Sequence, residues 1–399
     1  MIAGSGPRRS GGRSESTMGH CDVMADVVIV GAGAIGLGIA WKAAAGGAAV
    51  TVVDPSPGSG ASDVAAGMIA PVTELTYGEE ALGALSAVSA ERYESFVEEL
   101  QQAAGEDVGY RRCGTLTVAL DRDDLALLDD VRGFLEARSL PVTRLTGRDA
   151  RSRQQLLAPE LSGALLVEGD HQVHPQRLVA ALRHAAERAG VAIVRAAVTR
   201  LLMSSDRVSG VVTDTGDIAA HRVVVAAGAW SASLTAGIDD APVRPVKGQL
   251  LVLQTADRGR FLSTTVRGLA HGFAVYVVSR DDGRVIVGAT VEERGFDTSV
   301  TADAVYTLLR DGRRLIPALT ELDFVEVRAG LRPGTPDNAP ILGEGAVPGL
   351  IWATGHYRNG ILLTPVTADA IASLVIRGAA PTVIAPFSSR RFARGKVVV

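Results

Sequence analysis

The chain has 399 residues, 47% hydrophobic and 21% charged, enough to bury a large core over two domains and too apolar for wholesale disorder. Forty basic against forty-four acidic residues leave a net charge of −4, which supplies no electrostatic footprint for nucleic acid and favours small-molecule chemistry. Cys21 and Cys113 stand far apart in no ligand-like spacing, so neither a disulfide framework nor a metal site is indicated, and a reducing cytoplasm fits.

Residues 1–23 are rich in Gly, Ser and Arg, and no apolar run precedes Met24; a disordered leader, or a true start at Met24, is expected. Val27 to Val30 reads as a strand, Leu37 to Ala45 as a helix and Val50 to Val53 as a second strand ending in Asp54. Between the first strand and the helix lies Gly31-Ala32-Gly33-Ala34-Ile35-Gly36. In such a loop the first glycine permits the turn, the second lets backbone approach a pyrophosphate, and the third lets helix and strand pack. Amides at the helix N-terminus then hold phosphates. Asp54 stands where a carboxylate accepts hydrogen bonds from an adenosine ribose, which argues against a 2′-phosphate. The pattern reads as dinucleotide binding and does not separate NAD from FAD.

A loop of small residues, Gly58 to Pro71, follows, then a long amphipathic helix over 79–104. Leu116 to Leu120 and Ala164 to Val167 read as strands, with helices near 123–137 and 148–156. His174-Pro175 opens a helix, Gln176 to Ala189, stopped by Gly190. Strands are expected at Val191 to Val194, Val208 to Thr213 and Val223 to Ala226. From Val243 the pattern alternates in Leu250 to Leu253, Phe273 to Val278 and Val285 to Val287, with Asp282-Gly283 as a hairpin signal. A helix over Ala302 to Leu315 and a strand near Phe324 to Val327 complete this block. The chain returns through Leu350 to Ala353, and Val366 to Ile376 reads as a last helix. No run of eighteen apolar residues exists, so no membrane-spanning helix is expected.

Ala65-Ala66-Gly67-Met68, Gly288-Ala289-Thr290, Ala329-Gly330-Leu331-Arg332-Pro333-Gly334-Thr335 and Gly355-His356-Tyr357-Arg358-Asn359-Gly360-Ile361-Leu362-Leu363 make residues 24–380 resemble the FAD-dependent amine and amino-acid oxidase family that includes D-amino-acid oxidase and sarcosine oxidase. The resemblance is nearest to the glycine oxidases of thiamine biosynthesis. It implies an α/β fold, with a Rossmann-type FAD-binding domain interleaved with an α+β substrate domain containing a large antiparallel sheet. The FAD-binding domain would be discontinuous, over 24–85, 169–240 and 327–385, and the substrate domain would take 86–168 and 241–326, leaving 386–399 as a tail.

Carried over, the cofactor residues are Gly31, Gly33, Ala34, Ile35, Gly36, Asp54, Ser62, Ala66, Gly67, Met68, His356, Tyr357, Arg358, Asn359, Gly360, Ile361 and Leu362, with Val198 at the adenine. The resemblance puts the substrate carboxylate on Arg332 and Tyr276, with Arg358 at the rim. From the residues alone, Arg332 in an apolar stretch needs an anionic partner, either an internal acid or a ligand. On its own Tyr276, among Val275, Val277 and Val278 on a strand, reads as core, and Arg358 could equally be a surface turn residue. The implied reaction is hydride transfer from a neutral amino acid to flavin N5, giving an imine, glyoxylate and ammonia on hydrolysis, and hydrogen peroxide from dioxygen. No acid-base residue is required. The amino acid is glycine, sarcosine or a small D-amino acid, and a thiazole synthase would receive the imine. FAD is non-covalent, because no cysteine follows Cys113 and no histidine lies between Ser56 and Met68. Ala274 and Val291 depart from a His and a Met that some glycine oxidases place on the amine side. The resemblance implies a homotetramer, to be placed in the cytoplasm that the cysteine usage fits. Rival readings are a quinone-linked D-amino-acid dehydrogenase and a non-catalytic FAD-binding module.

Overall fold

The computed structural model describes Met1 and residues 25–270 and 273–392. The expected leader, a start at Met24 and residues 393–399 of the tail lie outside them. Ala25–Val30 is buried except at Asp26, as suits the middle of a parallel sheet covered on both faces. It pairs in parallel with Val50–Val53 and with the second half of Gly216–Val225. Ala192–Val194 and Leu350–Thr354 flank these in parallel, and Ile341–Glu344 closes one edge antiparallel. The first half of Gly216–Val225 leaves the sheet to pair with Arg207–Thr213, which carries Val198–Ser204.

The helices Ala34–Ala45, Pro175–Arg188 and Thr364–Arg377 pack together on one face of this sheet. The first of them is buried almost all round, so it has no polar face to turn to water. On the other face Trp352 is fully buried, and its indole N–H donates to Asp239 at 2.8 Å. Burying one large apolar side chain contributes about 1.5–3 kcal/mol, and the hydrogen bond removes the penalty the indole N–H would otherwise carry.

A second sheet runs in the order Asp323–Gly334, Arg244–Gln254, Arg284–Gly288, Phe273–Ser279, Thr265–Ala270, Thr115–Ala119, Gly163–Val167, Thr143–Thr146. Every pair is antiparallel except Thr265–Ala270 with Thr115–Ala119. Alternation assigns its faces. Leu251, Leu253, Val275 and Val277 pack with Leu308 and Leu315 of the helix Ala302–Leu315, whereas Leu250, Val252, Tyr276 and Val278 face Ala66 and Met68. That second face meets the first sheet's loops.

Three expectations change. The helix expected over 79–104 is two, Glu80–Glu91 and Tyr93–Ala104, broken at Arg92. Its apolar spacing continues across the break, so the pattern carries no sign of it. Arg332-Pro333-Gly334, expected on the returning chain, ends the strand Asp323–Gly334, which crosses the division expected at 327. Within the expected tail, Arg391 donates to Asp337 at 2.7 Å and to the Ala339 carbonyl at 2.9 Å, fastening Ser389–Phe392 to the body. No single helix among the described residues is long and apolar enough to cross a membrane.

Candidate active site

A cavity of about 570 Å³ begins beyond the C-terminal ends of the parallel strands, where open α/β sheets bind ligands, and extends to the antiparallel sheet. At its first end, Gly31 has φ +109°, and a Cβ there would lie 2.4 Å from the Ala226 carbonyl oxygen. A side chain would have to displace the neighbouring strand end. Gly33 precedes the helix Ala34–Ala45 with no side-chain cap, leaving the first turn to other acceptors. The Ala34 N–H donates to the Ser62 hydroxyl at 3.1 Å. Asp54 accepts from the Ala32 N–H at 2.7 Å through one oxygen and from the Ser56 N–H at 2.7 Å through the other. It therefore holds the loop as well as facing the cavity, and each oxygen keeps acceptor capacity.

Ala34, Ile35, Ser62, Ala66, Gly67, Met68 and Val198 all line this cavity. Gly36 does not: a Cβ there would lie 1.9 Å from the Gly31 carbonyl oxygen, so its place is in helix-to-loop packing. The opposite wall is His356 to Ile361, in the turn leading into Thr364–Arg377. Buried His356 meets the Thr367 hydroxyl at 3.1 Å, and burial pushes its pKa down to about 3, so the ring is neutral. Leu362 lies outside the lining; its side chain is core, and its carbonyl accepts from the Ser89 hydroxyl at 2.6 Å.

At the far end stand Tyr276, Arg332, Arg358 and Glu74. Arg332 donates to the Thr290 carbonyl at 3.0 Å and the Lys247 carbonyl at 3.4 Å, and no acid pairs with it among the described residues. The acids Asp297 and Glu292 go instead to the buried Lys247, at 3.1 and 3.9 Å. A Cβ at Gly248 would lie 2.3 Å from the Arg332 guanidinium, and one at Gly288 would lie 2.4 Å from the Tyr276 hydroxyl. Two glycines on neighbouring strands thus make room for the two polar groups. Burial raises the Tyr276 pKa, offset in part by the Arg332 charge, so the phenol stays protonated.

Glu74 carries no signal in the sequence. Its carboxylate pairs with Arg267 and lies 3.7 Å from the Arg358 Nε. Burial alone would raise its pKa, but the charges of Arg267, Arg358 and Arg332 hold it below the usual range. Asp170 braces this turn by accepting from the Val72 and Thr73 N–H groups at 3.3 and 3.1 Å. Ala274 and Val291 are exposed, Val291 at 63%, and neither lines the cavity. They form no amine-side wall.

The lining fits a dinucleotide carrying a flat ring system. One end offers a Cβ-free turn, a helix N-terminus and a carboxylate; the middle offers small apolar side chains; the far end offers an unpaired guanidinium. Among the described residues no cluster of His, Cys, Asp or Glu could hold a metal ion.

Comparison with known proteins points the same way. A family model described as "FAD dependent oxidoreductase" matches residues 26–374. Glycine oxidase of Geobacillus kaustophilus is 36% identical, covering 94% of this chain and 98% of that one. Its crystal structure superposes with a TM-score of 0.85 at 35% identity, covering 92% of this chain and 99% of that chain. The bifunctional protein ThiO/ThiG of Synechocystis is 36% identical over 92% of this chain and 54% of its own length. The chain therefore spans about half the length of the bifunctional relatives it matches.

Proposed function

The chain belongs to the FAD-dependent oxidoreductase family, and from that premise we propose that it oxidises glycine, together with sarcosine and small D-amino acids, using dioxygen. The observation that carries the substrate assignment is Arg332: a guanidinium lining the cavity, held by two carbonyls and paired with no acid among the described residues. A carboxylate is the partner its fork lacks, and a bidentate pair would fix direction as well as distance. FAD, when bound, supplies the hydride acceptor and is reoxidised by dioxygen to give hydrogen peroxide.

In this reading the chain's residues act by positioning. Gly31, Gly33, Ala34, Ile35, Asp54, Ser62 and Val198 hold the nucleotide half, with Gly36 keeping the helix close. Ala66, Gly67, Met68 and His356 to Ile361 form the walls of the ring end, and Leu362 supports the turn from behind. Arg332 orients the α-carboxylate, and the neutral Tyr276 phenol donates to the same group. Arg358, steadied by Glu74, screens the rim. No group is assigned as catalytic base, because an amino acid bound as the free amine needs none. The cavity has no wall built from Ala274 and Val291, and sarcosine is proposed beside glycine.

The product imine would feed thiazole formation in thiamine biosynthesis, supported by the relatives named ThiO/ThiG. The working form proposed is a cytoplasmic homotetramer. The test is hydrogen peroxide release in air by the yellow protein with glycine, sarcosine, D-alanine and D-proline. Peroxide from glycine and sarcosine above the bulkier pair is expected. Flavin bleaching by amino acid without oxygen consumption would indicate a dehydrogenase instead, and no bleaching with any of them a non-catalytic flavoprotein.

A further inference from the structure

Arg280 follows the strand Phe273–Ser279 of the second sheet and is 6% exposed. Its guanidinium donates to the Val173 carbonyl at 2.8 Å, to the Gln172 side-chain oxygen at 2.9 Å and to the Ala66 carbonyl. It makes no ion pair among the described residues: nearby Asp282 pairs with Arg284 at 3.6 Å, and Asp281 with Arg260 at 2.6 Å and Arg111 at 3.6 Å. Taking a charge out of water with only neutral acceptors around it is costly, and a packed apolar side chain would hold two sheets together as well.

Its acceptors suggest what the charge does. Ala66 lies in the cavity wall beside Gly67 and Met68. The Gly67 carbonyl accepts from the Val173 N–H at 2.9 Å, and Val173 is itself held by Arg280. One side chain at the end of a strand of the second sheet therefore holds Ala66 of the wall directly and Gly67 by way of Val173.

We propose that Arg280 is a positioning residue for the flavin, its fork setting the Ala66–Met68 wall and its buried positive charge favouring the electron-rich reduced ring. The inference rests on the cofactor assignment and not on the choice of amino acid. Burial lowers the Arg280 pKa to about 10, so the group remains cationic at neutral pH.

The test needs no substrate: FAD titration of the apoprotein, and the flavin midpoint potential measured by dye-coupled reduction of the holoprotein. In Arg280→Gln, which keeps hydrogen bonding and removes the charge, the FAD dissociation constant should rise about tenfold, the order lost with one charged hydrogen bond, and the potential should shift negative. Arg280→Lys should restore the potential while binding stays weak, because an ammonium lacks the planar fork. A wild-type potential in Arg280→Gln overturns the role of the charge; wild-type FAD affinity in Arg280→Lys overturns the role of the fork. If Arg280→Gln does not fold, the lysine variant decides alone, since weakened binding at an unchanged potential supports the proposal and any other result overturns it. Neither readout depends on glycine being oxidised, so the two assignments fail separately.

Discussion

The two ends of the cavity are built differently. The nucleotide end is mostly backbone: a left-handed glycine, an uncapped helix N-terminus and strand ends that lie together because sequence neighbours fold together. The far end is mostly side chains: Glu74 on a loop, held by Arg267 from behind, Tyr276 on a strand of the second sheet, Arg332 three strands away from it, and Arg358 on a turn. Backbone sites tolerate changes of side chain but not of shape. Side-chain sites should show the reverse, losing selectivity with single atoms while the cofactor stays bound.

The sharpest test of that contrast is Arg332→Ala. It should retain FAD and lose about a thousandfold in kcat/KM for glycine, the order of about 4 kcal/mol for a buried charge-assisted pair, seen mainly as a raised KM. Loss of FAD instead would show that the two ends are not separable. Gly31→Ala should do the opposite, because its Cβ would meet the Ala226 carbonyl at 2.4 Å. Protein purified without its yellow colour is expected, and full flavin content would break the backbone account. Gly248→Ala should copy Arg332→Ala in milder form by pushing the guanidinium aside, with FAD content unchanged. If its KM equals wild type, Arg332 does not sit where its carbonyl partners hold it. Tyr276→Phe should cost about tenfold in kcat/KM, the order of one hydrogen bond to a charged group.

An effect of similar size, on stability and not on turnover, is one of pH. His356 has a pKa depressed to about 3 by burial, and His174 to about 4, chiefly by burial with nearby arginines adding to it. Below the unfolded value of about 6.5 the unfolded chain takes up protons that the folded chain refuses. Stability is therefore fully present above that pH and lost as pH falls toward the folded values, by up to about 1.4 kcal/mol per pH unit for each group. His356→Gln should lose less stability between pH 6.5 and 5 than wild type, read from urea midpoints. Equal loss would mean that His356 is not shielded in this way.

How far each region could be read beforehand follows from the same contrast. The strand, glycine loop, helix and strand of residues 27–54 were legible because every needed residue lies within one local unit, and alternation over 273–287 showed the hairpin at Gly283. Thr143–Thr146, mostly exposed and polar, gives no alternation to find, and Val198–Ser204 is a half-exposed edge. Glu74 had no legible partner, since Arg267 is brought to it only by tertiary folding. Gly248 and Gly288 looked like ordinary strand glycines until the side chains they accommodate were placed. Only resemblance to known oxidases points to Arg332 and Tyr276; by residue type alone an internal acid is as good a partner for Arg332 as a ligand, and Tyr276 reads as core.

The most direct measurement is anaerobic bleaching of the visible flavin band by glycine in the wild type and in Arg332→Ala, both loaded with FAD. Saturable bleaching of the wild type is expected, with a glycine requirement about a thousandfold higher in the variant at equal flavin content. The same glycine dependence in both proteins, or no bleaching of the wild type, would contradict it.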